Sequence, residues 1–108
     1  MAAEDETTDG QQPPRSGPLQ GLKVIDLTHV MAGPTCTLML ADMGADVIKI
    51  EKVPDGDDTR RSLPPVIGDE AAAFMMMNRN KRGIALDLKT SGGRKVLSRL
   101  LEDADVIV

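Results

Sequence analysis

The constraint that most narrows the fold is a rhythm met twice: a short apolar run, a glycine-bearing turn, a helical stretch and a second apolar run. "GLKVIDLT" (21–28) groups Val24, Ile25 and Leu27 behind Gly21. A short apolar run of this kind marks a strand buried on both faces. After Gly33-Pro34, "TCTLMLADMGA" places Leu38, Met39, Ala41 and Met43 at mixed three- and four-residue spacing. Thr35 or Thr37 can cap such a helix, Pro34 suits its entry, and Gly44 stands where it would stop. "DVIKIE" then returns to strand character through Val47, Ile48 and Ile50. Strand, tight turn, helix and strand within about 30 residues predict a right-handed βαβ unit.

The second occurrence is "GIALDLK", alternating Ile84, Leu86 and Leu88 against Ala85 and Asp87, followed by "SGGRKVLSRLLEDA" and "DVIV". Val96, Leu97, Leu100 and Leu101 form one helical stripe, with Ser91 as its N-cap and the adjacent glycines keeping first-turn N–H groups accessible. The fold class expected is α/β, a Rossmann-like parallel sheet with flanking helices. It is incomplete, because a buried strand that ends without a turn signal leaves a sheet half built. The chain therefore reads as the N-terminal piece of a longer protein. "MAAEDETTDGQQPPRSGP" offers too little apolar surface to offset chain entropy, so residues 1–18 read as a disordered leader and 19–108 as part of one domain. Between the two rhythms, "PDGDDTRRSLPPVIGDE" reads as a long surface loop and "AAAFMMMN" as a short helix. A loop of that length is uncommon without a role.

Composition removes several function classes. Phe74 is the sole aromatic, which leaves no platform for stacked bases. Residues 1–20 hold four acids and one base, while 21–108 hold thirteen acids and twelve bases. The body is thus nearly neutral, with local basic clusters rather than a basic field, and duplex nucleic acid is not an expected partner. A single cysteine excludes a disulfide framework and a Cys-rich metal site and fits a reducing compartment. No run approaches the ~20 apolar residues of a membrane span, and no signal-peptide pattern is present. The expectation is a cytoplasmic protein that binds neither membrane, nucleic acid nor metal.

Ligands of open α/β sheets sit beyond the carboxyl ends of the strands, where helix starts offer unpaired N–H donors. Two turns meet that description, "THVMAGPT" and "DLKTSGG", the second with Lys89 beside its glycine pair. Each suits a phosphate-bearing small molecule, although glycine in such a turn also serves backbone geometry alone. The dinucleotide fingerprint is absent, even though Glu51 lies where a ribose-binding acid would stand. His29 reads either as a general base or as a hydrogen-bonded structural residue, and the second is favoured for a histidine with no partner nearby in sequence. Cys36 reads as a small buried side chain, Met75–Met77 as core filling, and Arg60, Arg61, Arg79, Lys81 and Arg82 as solvated charges placed where they could also meet an anion.

Taken together, "PLQGLKVIDLTHVMAGPTCTLMLADMGADVIKIEKV", "GDDTRR", "NRNKRGIALDLKTSGGRKVL" and "ADVIV" resemble family III coenzyme A-transferases, the formyl-CoA transferase and carnitine CoA-transferase group. The resemblance runs from Pro18 to Val108. It implies a large Rossmann-like domain with a smaller one, an interlocked homodimer, and coenzyme A or acyl-CoA bound as substrate at the strand ends, with no permanently bound cofactor. Carried over position by position, its coenzyme A contacts fall on Met31, Ala32, Lys52, Leu86, Asp87, Leu88 and Lys89. Formyl-CoA transferases carry Gln where this chain has Met31, and the family's Arg falls on Lys52, which keeps the charge without the planar fork. The family's nucleophile is an Asp that moves coenzyme A between carboxylic acids through an acyl anhydride and an enzyme thioester. Asp26, Asp42, Asp46 and Asp87 do not match its motif, so this stretch is expected to contain no catalytic residue and to be inert alone. The alternatives are an α-methylacyl-CoA racemase-like enzyme, which shares the fold and the first turn, and a non-catalytic coenzyme A- or dinucleotide-binding module.

Overall fold

A run of residues that can be buried on both sides must have something packed on both sides, and the two faces of the first strand show what that is. A computed structural model of the chain describes residues 15–108. Strand β1 (Lys23–Asp26) lies at the centre, paired in parallel with β2 (Asp46–Glu51). Helix α1 (Ala32–Asp42) joins the two. Val24 points to one side and packs with Ala41, Ala45 and Val47, while Ile25 points to the other and packs with Ile50 and Leu86. The segment after β2 holds a 3₁₀ turn (Asp58–Arg61), a hairpin of β3 (Val66–Ile67) and β4 (Glu70–Ala71), and helix α2 (Ala72–Asn78). Strand β5 (Arg82–Ala85) then pairs with β2, helix α3 (Ser91–Leu101) follows, and β6 (Val106–Ile107) returns to the far side of β1.

The main sheet is therefore β5-β2-β1-β6, all parallel, with α1 against one face and the Leu97, Leu100 and Leu101 side chains of α3 against the other. This is the expected α/β sheet with flanking helices. The strand order reverses between β1 and β6, which is where open sheets of this type leave a crevice beyond their carboxyl ends. Of the expected leader, residues 1–14 lie outside the described residues; Arg15 donates to the Asn80 carbonyl at 2.8 Å.

Several local expectations change. Neither Thr35 nor Thr37 caps α1: its N-cap is Met31, with no side-chain cap bond, and Thr37 sits one turn in, buried and bonded to Asp26. The inward face of α1 is Pro34, Thr37, Leu38 and Ala41, so Met39 and Met43 are exposed and so is Cys36, which lies on the opposite side. Gly44, at φ +103°, does end the helix. Met75 and Met76 are exposed rather than core filling, because the short α2 turns Phe74 and Asn78 inward instead. Val96 also stays exposed at the edge of the α3 stripe. The stretch 54–70 is structured rather than a plain surface loop, with Asp57 and Thr59 buried within it, and the short helix expected from "AAAFMMMN" is α2.

Thr90, not Ser91, caps α3: its Oγ1 accepts the Gly93 N–H at 3.0 Å, so that first-turn donor is already taken. Gly93 has a second reason to be glycine, since a Cβ there would overlap the Asp87 carbonyl. Gly93→Ala is expected to push α3 off the turn that follows β5 and to destabilise the protein by about 1–3 kcal/mol, the usual penalty of overpacking. The urea midpoint reads the change, and Gly92→Ala, which meets open space, is its control.

Candidate functional site

Alternate residues of a strand share a face, so Asp26, Lys49 and Glu51 point to the same side of the sheet as Val24 and Val47. Towards the carboxyl ends of β1 and β2, that face changes from apolar to charged. Lys49 and Asp26 are direct register partners, and both are buried. Burying an ion is expensive unless it is paired and its remaining hydrogen-bonding capacity is used. The segment 57–81 supplies the partners. Lys49 Nζ lies 2.8 Å from Asp57 Oδ2 and donates to the Thr28 carbonyl at 3.0 Å. Lys81 Nζ divides its three donors among Asp26 (3.2 Å), the Pro34 carbonyl (3.0 Å) and Asn78 Oδ1 (2.9 Å). At the end of β2, Glu51 accepts a two-pronged contact from Arg60 at 2.7 Å for each bond, along with the Asp57 N–H at 2.9 Å. The Arg60 guanidinium stacks 3.7 Å above the Phe74 ring.

This arrangement sets the titration of the group. Burial alone would raise Asp26 and Asp57, but the donors around them outweigh it and hold both carboxyls below the ordinary carboxylate range. For Asp26 these donors are Thr28, Thr37 and Lys81; for Asp57 they are Lys49 and Thr59. Arg60 lowers Glu51, and burial lowers Lys81, partly offset by Asp26. Lys81 is therefore not the solvated charge expected of it, and Glu51 is committed to Arg60 and the Asp57 N–H rather than free for a ribose.

The first turn is tied to this network. Val30, immediately before α1's N-cap, has φ +76°, a left-handed backbone that a β-branched residue takes only when its surroundings impose it. Its N–H donates to the Asp57 carboxylate at 3.1 and 3.3 Å. Thr28 donates its N–H to Asp26 at 2.8 Å and its hydroxyl to the same oxygen. His29 is held between them.

On the opposite face, the carboxyl ends of β1, β2 and β5 open into a cleft of about 400 Å³ lined by Leu27, His29, Ile50, Lys52, Val53, Leu86, Asp87, Leu88 and Lys89. Five of the seven residues singled out from sequence meet there: Lys52, Leu86, Asp87, Leu88 and Lys89. Met31 and Ala32 stand exposed at the start of α1, outside that lining. The floor is apolar and the rim carries two ammonium groups. Lys52 is engaged only by the exposed Asp58 at 3.1 Å, a surface pair of little net strength, and Lys89 makes no ion pair among the described residues. The His29 Nδ1 is buried with no hydrogen-bond partner among the described residues. The residues that sequence reasoning missed are Lys49 and Asp57. A lysine two places after Val47 in a strand otherwise buried was the available signal.

The fold is a parallel α/β sheet with a cleft at its strand ends, and comparison with known proteins supplies the family. The profile of CoA-transferase family III matches residues 19–108, and the chain belongs to that family. Among its relatives, the formyl-CoA:oxalate CoA-transferase of Escherichia coli O6:H1 is 50% identical over 93 residues, covering 86% of this chain and 22% of that protein. The chain thus spans about a fifth of the length of the curated relatives it matches. A CAIB/BAIF family protein from Brucella suis superposes with a TM-score of 0.79 at 45% identity, and a hypothetical protein from Mycobacterium tuberculosis with 0.75 at 38%. Each superposition covers 86% of this chain and 25% of the other. No helix among the described residues is long and apolar enough to cross a membrane.

A carboxyl held below its ordinary value stabilises the fold above that ordinary value, and the contribution disappears as pH falls towards the depressed one. Stability is therefore expected to hold from neutrality to about pH 5 and to fall steeply below about pH 4. Asp57→Asn should be less stable at pH 7 yet lose less over the same acid interval. Urea midpoints measured between those pH values check both statements.

Proposed function

We propose that this chain forms the coenzyme A-binding part of an enzyme that moves coenzyme A between carboxylic acids. The observation that carries the reading is the cleft itself, in which an apolar floor and the Lys52 and Lys89 ammonium groups meet at the strand ends of a chain belonging to this family. Coenzyme A combines a phosphorylated end with an extended apolar and amide arm. Since the body of the chain is nearly neutral, its phosphates must be held by local cations and backbone N–H groups rather than by a general field. Lys52 and Lys89 supply the cations, Leu86–Lys89 supply one wall, and Met31 and Ala32 bring backbone to the edge of the site.

In the reaction proposed, a carboxylate nucleophile attacks the donor thioester and expels the coenzyme A thiolate, leaving an acyl–aspartyl anhydride. The thiolate then attacks the aspartyl carbonyl, releases the donor acid and forms an enzyme thioester. The acceptor carboxylate reverses these two steps. A carboxylate is a weak nucleophile in water and depends on positioning and covalent staging. The nucleophile belongs to a part of the protein beyond this chain, which by itself is inactive. The formyl-CoA:oxalate enzymes among the relatives support short carboxylic acids as the substrate class. Met31 replaces the Gln of that group, so the reading stops at the class. A cytoplasmic, interlocked homodimer completes it.

Titration calorimetry of the complete protein with coenzyme A is expected to show one site per chain. Lys89→Ala should weaken binding by about tenfold, the scale of one lost charge-assisted contact, and unchanged affinity would count against the site. Mass spectrometry after mixing with an acyl-CoA should find a covalent enzyme adduct. Exchange of the proton next to the acyl carbonyl without any adduct would point instead to a racemase.

A further inference from the structure

The "GDDTRR" segment plays no part in the cleft lining, yet its first aspartate is among the most completely buried groups of the chain. Asp57 and Lys49 together hold both flanks of His29. Asp57 takes the Val30 N–H on one side, and Lys49 takes the Thr28 carbonyl on the other. Between these anchors the backbone passes through the left-handed conformation of Val30, which a β-branched side chain resists. The pair lies on one face of the sheet, whereas the His29 side chain and Leu27 line the cleft on the other. We propose that the Lys49–Asp57 pair is a positioning device for the first turn: it holds Val30 in its unfavourable backbone state and so keeps His29 at the cleft in the arrangement that receives acyl-CoA. The proposal rests on the coenzyme A reading for its ligand, but the restraint on the turn does not.

A buried ion pair that served stability alone could be exchanged for apolar side chains of similar volume with little loss, and often with a gain. That exchange separates the two roles. In the complete protein, Lys49→Met combined with Asp57→Leu is expected to keep the native circular dichroism, with a lowered thermal midpoint because the Val30 and Thr59 donors lose their acceptor. It should bind coenzyme A about tenfold more weakly, the scale of one backbone residue returned from the left-handed region. Amide hydrogen exchange over 28–33 should quicken in this variant while that of α3 stays as it was. Adding Val30→Gly, which takes the same backbone angles without the side-chain penalty, should recover most of the lost affinity. Wild-type affinity and unchanged exchange in the apolar variant would overturn the proposal, as would failure of Val30→Gly to restore any binding. Should the apolar variant not fold, Asp57→Asn read by the same exchange decides the question, with unaltered protection over 28–33 refuting it. If the unsubstituted protein does not bind coenzyme A, the functional reading falls, and the exchange results alone support or refute the restraint on the turn.

Discussion

The structure depends on one buried electrostatic arrangement: Lys49 in the second strand and Asp26 in the first, each neutralised by an opposite charge delivered from the segment that follows. Breaking such a pair by removing one partner costs about 3–5 kcal/mol, because the charge left behind has no water to turn to. The apolar cluster around Val24, Ala41, Ala45 and Val47 fills one end of that face of the sheet, and the other end is ionic. The 57–81 segment seals it with Asp57, Asn78 and Lys81. What looks like a long connection is therefore a lid over ions, and its Pro- and Gly-rich composition conceals a part of the core.

The two faces of the sheet divide the work. One runs from the apolar Val24–Val47 end to a buried ionic end whose polar groups bond to one another. The other is apolar, built from Ile25, Ile50, Leu86 and the leucines of α3, and it ends in the cleft. The first turn links them, since Thr28 and Val30 answer to the ionic face while Leu27 and His29 face the cleft. Close packing at Gly93 has a matching effect on the second turn, where α3 presses directly on the Asp87 carbonyl and fixes the wall that carries Lys89.

Much of this was legible in the linear sequence. The apolar runs at 24–27 and 47–50 mark strands because continuous apolar β-branched residues suit a sheet covered on both sides. The turn carrying Lys89 follows from its position just after a strand, whereas Lys52 and Leu86–Leu88 follow from the family resemblance. One group of misreadings has a common cause: spacing alone placed Met39 and Met43, and side-chain type placed Cys36, Met75 and Met76, but exposure is decided by which side of a short helix meets the sheet. Thr37 has the chemistry of a cap and instead spends its hydroxyl on Asp26, eleven residues away.

The sequence by itself determined the alternation of elements, the parallel sheet and the places where the chain turns at the strand ends, because those follow from local periodicity and backbone preference. Tertiary structure alone decided which charges are buried and with whom. Lys49 and Asp57 are eight residues apart, and Asp26 and Lys81 fifty-five. Whether an ionisable side chain lies in water or in a low-dielectric interior depends on partners that only the folded chain brings within reach.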